Sequence, residues 1–371
     1  MHYSLFSRFT SGKVPPKRGK SPVSLLWMGL VIVFTLTLTA CGANNSSSAN
    51  SKGNNEPAST AQTTVEPSST NEQTGSNVNA DKDQPKTIKH EFGESVIPAH
   101  PKRIVSIGME DMLLSLDVPM VQAFSTDGYY LDKQLKDKGI AINSSFDINL
   151  EAITAADPDL IIMNKYMTDE QGYEQLSKIA PTIAFIRDDW QTGILEIGKA
   201  LDKEDKAQSV LKDFQDKVQQ AQATIKQAVG ENKTVAFIRP STKDVELDFP
   251  EYAWTSMLYN ELGLKPDPEV LKIASTTTDT WGGTMLSLEV LPKLSADYLF
   301  MDYGASMSSE EEFQQSVREA AEVEKLSIWK SIPAVQKGNV HQVSARHWAL
   351  NGPIADGLKV DDVVNALTGS K

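Results

Sequence analysis

The chain has 371 residues and carries 49 acidic against 36 basic side chains, a formal net charge of −13. That balance argues against a nucleic-acid partner. A single cysteine leaves no disulfide, so the folded part must be held by its own hydrophobic core.

At the amino terminus Arg8, Lys13, Lys17, Arg18 and Lys20, with no acidic residue among them, precede an apolar run from Leu25 to Leu38. The run is about 14 residues, short of the roughly 20 that cross a hydrocarbon core, so residues 1–40 are expected to be a signal peptide. It ends in Leu38, Thr39, Ala40, Cys41 and Gly42, which resembles the lipobox of bacterial lipoproteins. There the cysteine thiol takes a diacylglyceryl group and cleavage leaves Cys41 as the first residue. Without the five leader cations the chain has 31 basic against 49 acidic residues, a formal charge of −18. Anionic lipid would repel it, so the acyl chains alone must anchor it.

Residues 41–85 are rich in Ser, Asn, Thr, Gln, Ala and Glu and nearly free of large apolar side chains. Such a stretch cannot offset its ordering entropy and is expected to be a disordered stalk with a reach on the order of 35–40 Å. From residue 86 strand-like and helix-like patterns alternate. Strands are expected at Arg103–Ile107, Met120–Phe124, Leu160–Met163, Thr182–Ile186, Thr234–Ile238, Tyr298–Met301 and Val340–Val343, an α/β pattern with parallel sheets. Between Lys203 and Val229 the apolar positions Ala207, Val210, Leu211, Phe214, Val218, Ala221, Ile225 and Val229 recur in steps of three and four. This predicts one amphipathic helix of about 40 Å. The expected organisation is therefore an amino-terminal lobe over 86–201, a bridging helix over 202–230 and a carboxy-terminal lobe over 231–371.

An internal repeat supports that division. Asn149–Ile162 aligns without a gap to Ser287–Phe300, each a capped helix running into a buried strand, with Glu151 and Glu289 in the first helical turns.

Together with Pro101–Ser106, Gln175–Ile183, Leu258–Leu264 and Trp329–Val340, these features resemble the class III substrate-binding proteins of ABC importers, the iron-siderophore and cobalamin group. The resemblance implies two Rossmann-like lobes joined by one long helix and a ferric siderophore held between them, hydroxamate type favoured. It implies no resident cofactor, no reaction catalysed, and a monomer that partners an ABC importer permease at the outer face of the cell membrane. It also implies that Glu151 and Glu289 dock on permease arginines, and that Arg239, after the strand Val235–Ile238, contacts siderophore oxygens through its guanidinium fork. Placement alone adds Lys165, Tyr166, Arg187, Trp190, Trp281, Tyr303, Arg346, His347 and Trp348 as ligand-binding candidates.

Haem and cobalamin stay open within the class, with Tyr303 or His347 as an axial haem ligand. A bare zinc or manganese site would want three or four converging ligands, and the mature chain has only His90, His100, His341 and His347. A secreted hydrolase is the rival of another kind. The chain has no Gly-x-Ser-x-Gly elbow, His-Glu-x-x-His or glycine-rich phosphate loop, and adjacent acids such as Asp188 and Asp189 are expected by chance among 49.

Overall fold

The computed structural model describes residues 83–145, 147–278, 281–304 and 307–369. The expected signal peptide, Cys41 and the stalk up to residue 82 lie outside the described residues.

The first sheet is built from β3 (Ile104–Ile107), β4 (Met120–Phe124), β5 (Ala141–Asn143), β6 (Leu160–Asn164) and β7 (Thr182–Phe185), after a hairpin of β1 (Lys86–His90) and β2 (Gly93–Ile97). Its order is β5-β4-β3-β6-β7 and every pairing is parallel. The residues of β3, β6 and β7 are buried throughout, as helices on both faces require, and this is why those strands read as unbroken apolar runs. The hairpin, with few apolar positions, was not anticipated. It lies along the outer strand β7, where the Glu91 amide donates to the Ala184 carbonyl and the Ser95 hydroxyl to the Thr182 carbonyl. The sheet edge is thereby covered.

The second sheet comprises β8 (Thr234–Pro240), β9 (Asp244–Asp248), β10 (Lys265–Pro266), β11 (Gly283–Ser287), β12 (Tyr298–Tyr303) and β13 (Val340–Ser344). Its order is β11-β9-β8-β12-β13, with β10 beside the start of β8. Here the expectation of parallel sheets needs correction. β8, β12 and β13 run parallel, but β9 turns back beside β8 and β11 beside β9, both antiparallel. The seven expected strands are all present, with ends shifted by at most two residues.

Between the sheets runs the Glu204–Val229 helix, which starts on the acids Glu204 and Asp205 and stops at Gly230 with φ +83°. Its buried residues Ala207, Phe214, Val218, Ala221 and Ile225 form the predicted stripe. The stripe packs on the Trp190–Ala200 helix, where Trp190 meets Phe214 edge-on at 5.0 Å, and on the final Pro353–Thr368 helix. That final helix also packs on Glu110–Ser115, so the chain ends against its own first half. One hydrophobic cluster accordingly runs from Ile97 through Phe237 and Phe300 to Leu367.

Both repeat copies share an anchor. Asn149 caps an α-helix by accepting from the Ala152 amide, and Ser287 caps its counterpart by accepting from the Glu289 amide. The second copy winds as a 3₁₀ helix because Pro292 has no amide to donate within it. At matching positions, the Asp159 carboxylate accepts from the amides of Lys102 and Arg103 just before β3, and that of Asp297 accepts from the Thr234 amide at the start of β8. Each copy thus fixes its own strand to the next.

Candidate functional site

Loops that follow parallel strands of both sheets meet, and such strand ends are where open α/β sheets present their loops to ligands. Across that junction Arg346, after β13, donates to the Asp127 carbonyl after β4, and Met307, after β12, lines a small hollow with Ile107, Phe124 and Met167. A larger polar opening of about 360 Å³ lies between Asp188, Trp190 and the segment holding Ser256 and Glu261. Gln191 donates to Glu261 across it at 3.1 Å.

On the second sheet, register places Arg239 of β8 beside Glu246 of β9 and Asp302 of β12. Asp302 is fully buried and grips Arg239 through both oxygens, at 2.7 Å from Nε and 2.9 Å from Nη2. Glu246 stands 3.6 Å from Nη1. Only 14% of the Arg239 side chain is exposed, and its guanidinium lies 5.9 Å from the Trp254 ring. Tyr252 bridges Trp254 and Trp281 at ring distances of 4.9 and 5.3 Å, completing an aromatic wall. Gly282, at φ +113°, permits this, since any Cβ there would run into the Tyr252 ring.

On the first sheet, Arg187 follows β7 and is 6% exposed. Among the described residues its guanidinium has no carboxylate within 4.0 Å and no hydrogen-bond acceptor, and Nε is enclosed without a partner. A buried cation left in this state is costly unless something else satisfies it. Tyr129 and Tyr130 lie within its field. Burial first, and then nearby carboxylates, push both phenols far above their ordinary range, while Arg187 opposes that rise. Lys165, after β6, pairs with Glu91 at 3.1 Å and sits over the Phe92 ring, and Tyr166 beside it is 54% exposed.

Several other expected ligand contacts are structural in place. Trp348 is 1% exposed and stacks on Phe237 at 5.1 Å, so it belongs to the core. Tyr303 is equally buried and donates to Glu324, while Trp190 is buried and donates to Asp356. Arg346 is committed to Ser308, Asp127 and Glu310 and lies over Phe313, and His347 pairs with Asp362. The Arg346, His347 and Trp348 group is therefore drawn inward by its own partners. The other histidines serve separate places: His90 at Ser95, His100 at Asp83, and His341 beside Phe300. Glu151 and Glu289 are both exposed. Sequence reasoning missed Tyr252, Trp254, Glu246 and Asp302. The alternation of acids in Asp244–Asp248 was the available signal for a strand with a polar row on one face.

The family model described as periplasmic binding protein matches residues 111–346. The probable siderophore-binding lipoprotein YfiY of Bacillus subtilis is 30% identical over 359 residues, covering 93% of this chain and 97% of its own. The iron(3+)-hydroxamate-binding protein FhuD of the same organism is 29% identical over 288 residues, covering 76% and 86% respectively. Among solved structures, a FhuD fold-family periplasmic binding protein component of a Fep/Fec-like ferrichrome ABC transporter from Bacillus subtilis superposes with a TM-score of 0.63 at 27% identity. It covers 76% of this chain and 99% of its own. Staphylococcus aureus SirA complexed with staphyloferrin B gives 0.62 at 27%, with coverages of 76% and 98%.

Proposed function

Because the chain belongs to the periplasmic binding protein family, we propose that it is an extracytoplasmic lipoprotein that captures a ferric siderophore, hydroxamate type favoured, and delivers it to an ABC importer. The observation that carries this reading is Arg187, a buried guanidinium just after β7 with no carboxylate or hydrogen-bond partner among the described residues. The oxygens around a chelated ferric ion are acceptors that would satisfy it, and no metal ligand from the protein is needed. Nη1 of Arg239 offers a second donor opposite, and Trp281 with Tyr252 and Trp254 offers an apolar wall. Lys165 and Tyr166 extend the same rim. The names of the relatives, siderophore-binding and iron(3+)-hydroxamate-binding, support the ligand class.

In this reading Cys41 carries the lipid that holds the protein near its transporter, raising its effective concentration there. Glu151 and Glu289, exposed just after the caps of the two repeat copies, provide two-point electrostatic docking on permease arginines. The protein binds and releases its ligand unchanged, as a monomer.

The test is a fluorescence titration of the purified protein with ferric hydroxamates, ferric catecholates, ferric citrate, haemin and cobalamin. A ferric hydroxamate should quench Trp254 and Trp281, which stand with Tyr252 beside Arg239. No response to any of the panel would overturn the reading. In cells, Glu151→Ala, Glu289→Ala and Cys41→Ala should lower uptake while leaving the titration unchanged. Loss of binding in the glutamate variants would sink the docking assignment.

A further inference from the structure

Two largely buried arginines stand near strand ends, one in each sheet, but only one is clear of carboxylates. Arg187 meets no carboxylate within 4.0 Å among the described residues. Arg239 instead stands in a row across three strands, between Glu246 and Asp302. Asp302 occupies the Nε and one Nη2 N–H with both of its oxygens, which leaves Nη1 as the one guanidinium nitrogen it does not hold. Asp248 lies two residues along β9 from Glu246, hence on the same face. It is 1% exposed, and its Oδ1 has no partner among the described residues. Burial, ahead of the opposing pull of Arg239, raises the Glu246 carboxyl above its ordinary range. Burial followed by the neighbouring Glu246 charge raises that of Asp248 further. The row thus sets three carboxyl groups against one guanidinium, with Asp302 already in a two-bond ion pair with it.

We propose that Asp302 and Glu246 are specificity-determining residues that cancel the charge of Arg239 and tie up part of its donor fork. The cleft thereby selects ferric complexes that are neutral or nearly so over strongly anionic ones. Three hydroxamates balance the charge of a ferric ion, whereas three catecholates leave a strongly anionic complex. In a partly buried site an anionic complex is repelled by each uncompensated carboxylate, and a neutral one is not. The assignment rests on the siderophore reading and adds to it the residues that set the ligand's charge.

The test compares a neutral ferric trihydroxamate with an anionic ferric tris-catecholate and with ferric citrate by the same fluorescence titration. The wild-type protein should hold the trihydroxamate at least about tenfold more tightly than either anionic complex, a difference a single unit charge can produce at this depth. In Asp302→Asn, which frees the guanidinium charge, that ratio should fall by about tenfold or more. In Glu246→Lys, which puts a cation into the same row, it should fall likewise. A wild-type protein that prefers the anionic complexes overturns the inference and leaves the siderophore reading standing. So does a ratio unchanged within about threefold in whichever variant retains a cooperative thermal transition. A wild-type protein that binds none of the three overturns the siderophore reading itself.

Discussion

Each sheet carries one largely buried arginine near a strand end, and the two are treated in opposite ways. On the second sheet Arg239 is locked to a buried aspartate through two hydrogen bonds, with another carboxylate beside it. On the first sheet Arg187 is more deeply enclosed as a residue, and among the described residues its guanidinium has no partner. A buried ion pair and a buried lone ion make different demands. The pair belongs to the fold, since removing one member strands the other, while the lone ion is a liability that only a ligand relieves. The difference separates a residue that shapes the site from one that waits for its occupant, although both stand just after or near the end of a parallel strand.

The largest effect should come from breaking the pair. Arg239→Ala leaves the buried Asp302 without its cation, and the expected loss is about 3–5 kcal/mol of stability, read as a lowered midpoint in urea unfolding. Arg187→Met should do the reverse. Removing the unpaired charge should leave stability unchanged or raise it by about 1–3 kcal/mol, while weakening ferric hydroxamate binding by about the 1.5–3 kcal/mol typical of a charged hydrogen bond. If Arg187→Met proved as destabilising as Arg239→Ala, the contrast between the two sheets would be wrong.

Asp111 offers a third buried charge, and a sharper test because it titrates. Its carboxylate accepts from the amides of Ile354 and Ala355 at the start of the last helix and from the Tyr130 hydroxyl, tying the first half to the chain's end. Burial outweighs those hydrogen bonds and pushes its pKa up to about 6. The folded state therefore holds this proton more tightly than the unfolded chain, whose carboxyl titrates near 4. Below about pH 4 Asp111 contributes no pH dependence, and as pH rises through about 4 to 6 ionisation costs stability, by up to about 3 kcal/mol once complete. Thermal melts of wild type and Asp111→Asn across that window should differ in slope, with the wild type losing stability toward higher pH by the larger amount. Parallel slopes would show that Asp111 is solvated after all.

How far the sequence could be read follows the same division. The buried strands β3, β6 and β7 announced themselves as apolar runs, and the long helix by its stripe from Ala207 to Ile225, because in each case hydrophobic burial alone dictates the pattern. β9 did not, since Glu246 and Asp248 are acids on a buried face, and their burial makes sense only beside Arg239 and Asp302, brought there by other strands. For the site, Arg187 and Arg239 could be placed by counting from strand ends, but which of them was already paired could not. The partner of Arg239 lies 63 residues away and is visible only through register. Trp348 and Tyr303 followed strands just as Arg187 did, and local sequence cannot tell a side chain that turns into the core from one that turns outward.

The smallest predicted effect probes the repeat, where the two halves ought to be most alike. Asp159 and Asp297 occupy matching positions and each fixes the start of a neighbouring strand. Asp159 does so through two backbone amides, at 2.7 and 2.9 Å, which have no other acceptor when it is removed. Asp297 holds one amide and the Thr234 hydroxyl, and that hydroxyl oxygen still accepts from the backbone amide of residue 297 whatever side chain stands there. Asp159→Ala should therefore cost about 1–2 kcal/mol and Asp297→Ala about 0.5–1 kcal/mol. Both are measurable as shifts of the urea midpoint at unchanged slope. Equal costs would mean that the hydroxyl exchange adds nothing. A larger cost at Asp297 would mean that the mixed sheet, with its antiparallel edge and its charged row, depends on that single anchor more than the parallel sheet depends on its own.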